Sequence, residues 1–257
     1  MHCQIVIPAR LASTRLPEKL LRRAGSKSVL QHTFDAASAS DVASGVIVAV
    51  DDQRIADEVE SFGGRWIMTN PDCPSGTDRI AEVAAAMPNV DVFVNVQGDE
   101  PEISPAAIDL VAQALIDAPQ ADMSTVGTPI RNPALLDDPS VVKIVLALNK
   151  NSAGQGRAVY FSRSVVPHVR DGVTDEVLAA EPPIFWHHLG LYAYRREFLS
   201  WFAAQPPSQI EQSERLEQLR AIEAGKTIAV ARVESATPGI DTQADLDAFI
   251  DRLATSK

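Results

Sequence analysis

The sequence predicts a layered α/β fold with a mainly parallel central sheet and an inserted antiparallel β elaboration. Two observations carry that expectation. Through the first half, short apolar runs alternate with helix-like segments of about 10 to 15 residues, the pattern of βαβ units. From about Asp122 the helices give way to strand-like runs separated by polar loops containing Pro and Asn, the pattern of an antiparallel insertion.

Gln4–Ile7 reads as the first buried strand, followed by a helix over Val29–Ser38 and a strand at Val46–Val50. A helix over Gln53–Phe62 and a strand at Trp66–Met68 come next. A helix over Asp78–Met87 leads to the apolar run Val92–Val96. Ser104-Pro105, a cap followed by proline at the first helical position, opens another helix. Met123–Ile130, Val141–Leu148 and Arg157–Phe161 read as strands, His168–Pro183 as a long loop and Trp186–Tyr194 as a further strand. Ile210–Ala224 reads as one helix with Leu216, Leu219 and Ile222 on one face. Thr227–Val233 is expected as a strand and Gln243–Leu253 as the closing helix. No internal repeat, low-complexity tract or flexible linker interrupts the chain. Residues 1–257 are therefore expected to form one domain, with an elaboration at about residues 122–210 that shapes a second substrate site or a subunit contact.

With 46% hydrophobic residues in 257, the chain can bury one large core or one core with an insertion. No stretch approaches the roughly 20 apolar residues that span a bilayer, and the N-terminus lacks a basic segment followed by an apolar one. A soluble, cytoplasmic protein is expected. Thirty-four acidic against 23 basic side chains give a net charge of −11, which argues against nucleic acid and anionic membranes as partners. An anionic ligand would need a local basic pocket. Cys3 and Cys73 form no metal spacing and no disulfide framework.

The opening run supplies such a pocket. A strand ending at Ile7 delivers the following backbone N–H groups to the carboxyl edge of a sheet, where open α/β folds bind ligands. Ala9, Ala12 and Ser13 leave room for close approach, and Arg10, Arg15 and Lys19 supply charge for a polyphosphate. The segment is neither a GxxxxGK[ST] loop nor a GxGxxG fingerprint, and on charge alone it reads equally as a solvated basic loop. Val92–Val96 runs into Gln97-Gly98-Asp99-Glu100, where Asp99 reads either as a turn or cap residue or as a Mg²⁺ ligand at a phosphate site. In Ser75-Gly76-Thr77-Asp78-Arg79, Thr77 and Asp78 are capable N-caps. Asp241 precedes a helix and reads as a cap, or as a second metal carboxylate if the fold brings it to Asp99. Strand alternation places His188, Tyr192 and Tyr194 on one face, His188 reading most simply as a packed, hydrogen-bonded ring. Glu214, Glu217 and Gln218 fall at helical spacing, ordinary for a solvated face, and Arg163 is an isolated cation.

Six segments in one order tie these residues together: Ile7-Pro8-Ala9-Arg10 with Ser13-Thr14-Arg15-Leu16-Pro17 and Lys19, Ser75 to Arg79, Asn95 to Pro101, Tyr160 to Ser164, His188 to Tyr194, and Leu216 to Arg220. Over nearly the whole chain they resemble the 3-deoxy-manno-octulosonate cytidylyltransferases, the CMP-Kdo synthetases of lipopolysaccharide assembly. The resemblance implies a nucleotide-diphospho-sugar transferase-like fold, a homodimer, dependence on Mg²⁺, and the reaction of CTP with Kdo to CMP-Kdo and pyrophosphate. It implies that Arg10, Ser13, Arg15 and Lys19 hold the triphosphate beside Pro8 and Ala9. Ser75, Gly76 and Arg79 would border the nucleotide, with Gln97 beside the reacting centre. Asp99 and Asp241 would be the metal carboxylates, and Arg10 and Lys19 would act with them in catalysis. Gln97, Arg163, His188, Tyr192, Glu214 and Gln218 would face the sugar acid, with Glu217 competing with Glu214 and Gln218 for that part. Glu18 stands where glycine is usual, Gly25-Ser26-Lys27-Ser28 lacks the usual proline, and Cys73-Pro74 replaces a polar pair. Another sugar acid or an amino-Kdo would leave the opening loop and Asp99 unchanged. A nucleotide-binding regulator without catalysis is the reading from a different class, and the presence of both carboxylates argues against it.

Overall fold

The computed structural model describes residues 1–148 and 155–255. In chain order the elements are β1 (Cys3–Ala9), a 3-10 turn (Lys19–Leu21), β2 (Arg23–Ala24), β3 (Lys27–Ser28), α1 (Val29–Ser38), β4 (Val46–Val50) and α2 (Gln53–Ser61). They continue with β5 (Arg65–Met68), α3 (Gly76–Ala86), β6 (Val92–Asn95), α4 (Pro105–Ile116), β7 (Met123–Pro129), α5 (Ala134–Asp137) and β8 (Lys143–Leu148). The rest are β9 (Gln155–Ser162), α6 (Asp175–Ala179), β10 (Trp186–Arg195), α7 (Arg196–Ala203), α8 (Gln209–Glu214), α9 (Gln218–Glu223), β11 (Ile228–Arg232) and α10 (Gln243–Thr255). The fold is mixed α/β, in two compact units: Met1–Asp109 with Arg195–Ala203 and Thr237–Lys257, and Leu110–Tyr194 with Ala204–Ala236.

In the first unit β1 lies between β4 and β6, parallel to both, and β4 pairs in parallel with β5. Ile5 faces Val46 on one side and Val94 on the other. The continuous apolar runs of β1, β4 and β6 follow from burial on both faces. The chain steps outward from β1 to β4 and β5, then returns to the opposite side of β1 as β6. That reversal makes a topological switch point, and the segments leaving β1 and β6 there are the Arg10 loop and Gln97–Asp99. Leu16, in the middle of the loop, is buried with Val29, Ile240, Leu246 and Phe249. Burying a leucine stabilises by roughly 1.5–3 kcal/mol, so this contact pins a polar loop to the core beside Ile240.

In the second unit β7 pairs antiparallel with β10 and parallel with β11, while β9 is antiparallel to both β11 and β8. β8 also pairs with β10 at Trp186–Ile144 and His187–Lys143, bringing the last strand of the row back to the first. The register of β10 on β7 shifts between Leu189 and Tyr192.

Several elements differ from the sequence expectation. The helix expected over Ile210–Ala224 is broken at Arg215, whose φ of 53° is left-handed and caps α8. Glu214 and Gln218 therefore do not share one helix face. A buried bidentate pair, Arg220 Nε and Nη2 on Glu211 at 2.7 and 2.6 Å, fixes the two short helices across the break. The loop His168–Pro183 contains α6, capped by Thr174 and held by Leu178 in a cluster with Ile130, Leu136, Val141 and Phe185. α3 begins at Gly76, two residues early: Ser75 Oγ accepts from Asp78 N at 3.2 Å, so Ser75, rather than Thr77 or Asp78, is the cap. The hairpin β2–β3 turns through Gly25 at a φ of 65°.

Candidate active site

In the first unit the residues leaving β1 and β6 line a cleft of about 340 Å³. Pro8, Arg10, Ser13, Arg15, Lys19, Gly76, Gln97, Asp99 and Asp241 all border it. Gly98 allows the turn: a Cβ there would lie 3.2 Å from Pro8 O and 3.3 Å from Leu20 Cδ2. Ile240 N donates to Asp99 O at 2.8 Å, bringing together two carboxylates far apart in sequence. Asp241 is not the helix cap. Thr242 Oγ1 accepts from Asp245 N and Asp245 Oδ2 accepts from Thr242 N, so the carboxylate of Asp241 is left for other work.

Both carboxylates converge on Lys19. Its Nζ donates to Asp99 Oδ2, and to Asp241 Oδ1 at 2.8 Å, while Arg15 Nη2 lies 2.9 Å from Asp241 Oδ2. Burial works against the charge on Lys19, but Asp99 and Asp241 outweigh it and hold the pKa above the ordinary lysine value. Lys19 is thus a fixed cation, unsuited to act as a base. Burial first, and the charge of Asp99 second, push Glu100 up to about 8, so near neutrality its carboxyl is largely protonated. Arg10 is held toward Cys73, donating from Nη2 to its carbonyl at 2.6 Å.

Ala9, Ser75 and Arg79 are buried and do not border the cleft. Arg79 is fully buried, donates to Thr69 Oγ1, and pairs with Asp51 Oδ2 at 3.4 Å; its Nε has no hydrogen-bond partner among the described residues. The other oxygen of Asp51 accepts from Leu11 N, the first amide after Arg10, at 3.0 Å. Asp51 was not singled out by the sequence reading, although it stands just past an apolar strand as Asp99 does. Burial and the Glu82 carboxylate raise Cys73 to about 11, and burial raises Cys3 to about 12, which keeps both as unreactive thiols.

In the second unit the other expected residues form two groups. Arg163 donates from its backbone N to Glu214 Oε2 at 3.0 Å and from Nε to Glu214 O at 2.8 Å, and Ser162 Oγ donates to Glu214 Oε1 at 2.6 Å. Tyr192 Oη donates to Gln218 Oε1 at 3.3 Å, and Gln218 Nε2 donates to His188 Nδ1 at 3.4 Å. That leaves the proton of His188 on Nε2, 3.1 Å from Thr125 Oγ1. The ring packs edge-on against Phe161 with centroids 4.9 Å apart. Burial, and secondarily His187, lower His188 to about 3, so it is neutral at working pH. Among the described residues no group of three or more His, Cys, Asp or Glu forms a metal centre by itself.

Two aspartates meeting Lys19 and Arg15, with Arg10 in the same cleft, lie at a switch point of an α/β sheet, the place where such folds take phosphate-bearing ligands. The comparisons narrow the class: residues 4–228 match the family model described as Cytidylyltransferase. A protein of Rhodopirellula baltica named 3-deoxy-manno-octulosonate cytidylyltransferase is 59% identical over 98% of this chain and 99% of its own length. A namesake in Geobacter sulfurreducens is 43% identical over 98% and 100%. A solved CMP:2-keto-3-deoxy-manno-octonic acid synthetase complexed with CTP superposes with a TM-score of 0.89 at 38% identity, covering 100% of both chains. The 4-diphosphocytidyl-2C-methyl-D-erythritol synthase of Anaerococcus prevotii shares the fold at a TM-score of 0.60 and 15% identity, covering 98% of both chains. The chain belongs to the family of 3-deoxy-manno-octulosonate cytidylyltransferases.

Proposed function

We propose that this protein transfers CMP from CTP to the anomeric 2-hydroxyl of Kdo, releasing pyrophosphate and supplying CMP-Kdo for lipopolysaccharide assembly. The observation that carries the reading is the convergence of Lys19, Asp99 and Asp241 beside the cationic loop. Arg10, Ser13, Arg15 and Lys19 hold the triphosphate beside Pro8 and Ala9; Gly76 borders the nucleotide, and Ser75 and Arg79, buried off the cleft, serve that side by capping α3 and holding Asp51. Gln97, Arg163, His188, Tyr192, Glu214 and Gln218 serve the sugar acid. The parallel strands form the nucleotide half of a single domain and the antiparallel insertion its sugar half. The protein works as a homodimer in the cytoplasm.

Asp99 and Asp241 fit Mg²⁺. They are hard oxygen donors already gathered around a cation, Lys19 Nζ, and would hold the ion between them. Held by these two carboxylates, Mg²⁺ would supply charge neutralisation on the phosphates and a lowered pKa to a neighbouring hydroxyl. The side chains do the rest. Arg10 and Arg15 orient the triphosphate for in-line attack on the α-phosphorus. Lys19, protonated, stabilises the charge that accumulates there as pyrophosphate leaves. His188, neutral, serves the sugar side by holding the amide of Gln218 and brings no charge there.

Pyrophosphate release followed against Mg²⁺ concentration tests the reading. The wild type is expected to need CTP, Kdo and Mg²⁺ together, and Asp241→Asn to lose most turnover with its fold intact. Near-normal turnover of Asp241→Asn at limiting Mg²⁺ would remove Asp241 from the metal site.

A further inference from the structure

The phosphate loop is gripped by the turn that opens α2. At its start, Leu11 N donates to Asp51 Oδ1 at 3.0 Å, and Asp51 is itself locked against the buried Arg79. At its end, Glu18 Oε1 accepts from Arg54 Nη1 at 2.7 Å. Arg54 in turn leans on Asp52 at 3.3 Å, the N-cap of α2. Between these two grips the loop arches over a hollow of about 450 Å³, walled by Ser13 and Pro17 on one side and Asp52 and Arg54 on the other. Glu18 has a φ of 52°, a left-handed conformation that a residue with a side chain adopts only where its surroundings hold it.

We propose that Arg54 is a positioning residue that braces the end of the phosphate loop through Glu18 and so sets Lys19. Lys19 follows Glu18 directly, so the brace decides where the lysine backbone starts. The proposal rests on the role given above to Lys19 in the transfer. The pair is specific to a chain with a carboxylate at position 18, since a glycine there would take the left-handed turn freely but offer Arg54 nothing. Glu18 and Arg54 are about half exposed, so the pair is screened by water; its effect is on loop order rather than on global stability.

Arg54→Ala, Glu18→Ala and the double variant test the brace in two independent ways. Trypsin cleavage after Arg15, whose side chain is 65% exposed, reads loop order without reference to activity. Each single variant is expected to be cut severalfold faster than the wild type. With CTP varied at saturating Kdo, kcat should fall by up to about fivefold, the range of an exposed ion pair, while KM for CTP stays within about twofold. The double variant should do no worse than either single one, because both remove the same contact. Melting temperatures should be unchanged. Unaltered cleavage and kcat in both single variants would overturn the proposal, as would losses that add in the double variant. A wild type that makes no CMP-Kdo defeats the transferase reading instead, and the cleavage rates still decide the brace.

Discussion

Acidification is expected to weaken this protein through His188. The ring is 7% exposed, its two nitrogens are engaged by Gln218 and Thr125, and Phe161 and Tyr192 close over its faces and edge. Burial lowers its pKa from 6.5 to about 3. A depressed histidine pKa means that the unfolded chain binds the extra proton, so the contribution is whole above about pH 6.5 and is lost as pH falls toward the folded value. Between about pH 7.5 and pH 5 the unfolded imidazole gains roughly 1.5 pK units of protonation free energy while the folded ring stays neutral, which is about 2 kcal/mol. On a chain of this length that corresponds to about 4 °C in melting temperature. Thermal unfolding of the wild type and His188→Gln across that range isolates the effect, because the remaining titrating groups are common to both. The wild type should lose about 4 °C more than the variant. Equal slopes in the two proteins, or an imidazole NMR titration of His188 centred near pH 6, would refute the reasoning.

Three other substitutions probe different parts of the account. Lys19→Ala should lower kcat by about a hundredfold or more, by analogy with loss of one oxyanion donor, and a change confined to KM would show that the lysine only binds substrate. Arg215→Gly should raise stability by roughly 0.5–1 kcal/mol, since glycine takes the left-handed cap without the Cβ cost; thermal melting checks the sign. Arg220→Met leaves Glu211 buried without its partner and should cost about 3–5 kcal/mol by denaturant unfolding; a loss under about 1 kcal/mol would mean that the carboxyl is readily reprotonated or solvated.

The strands and helices that position the phosphate site were legible because each spends many residues on one period. β4 was read from its apolar run to the residue, and α1 from its periodicity. β2, β3, α5 and α6 were not, because a few residues carry no period and depend on tertiary anchors such as Leu136 and Leu178. The break at Arg215 was invisible for a similar reason: the turn is made by an arginine where sequence reading looks for glycine. Asp99 and the cations of the loop were visible as residue types at a strand end. Their meeting with Asp241 was not, because it depends on the backbone bond from Ile240 to Asp99 and on Leu16 packing beside Ile240. Asp51 carried the strand-end signal of Asp99 but no adjoining glycine to mark it, and its role appears only once Leu11 and Arg79 are seen on its two oxygens.

The most direct test of the central claim is to identify the product. Purified protein incubated with CTP, Mg²⁺ and an equimolar mixture of Kdo, amino-Kdo and a sialic acid, with UTP in a parallel reaction, would be analysed by mass spectrometry. CMP-Kdo as the dominant product, formed from CTP and stoichiometric with pyrophosphate, is the result predicted. A CMP conjugate of one of the other acids in its place, or CTP bound with no conjugate formed, would contradict the assignment of Kdo as the acceptor.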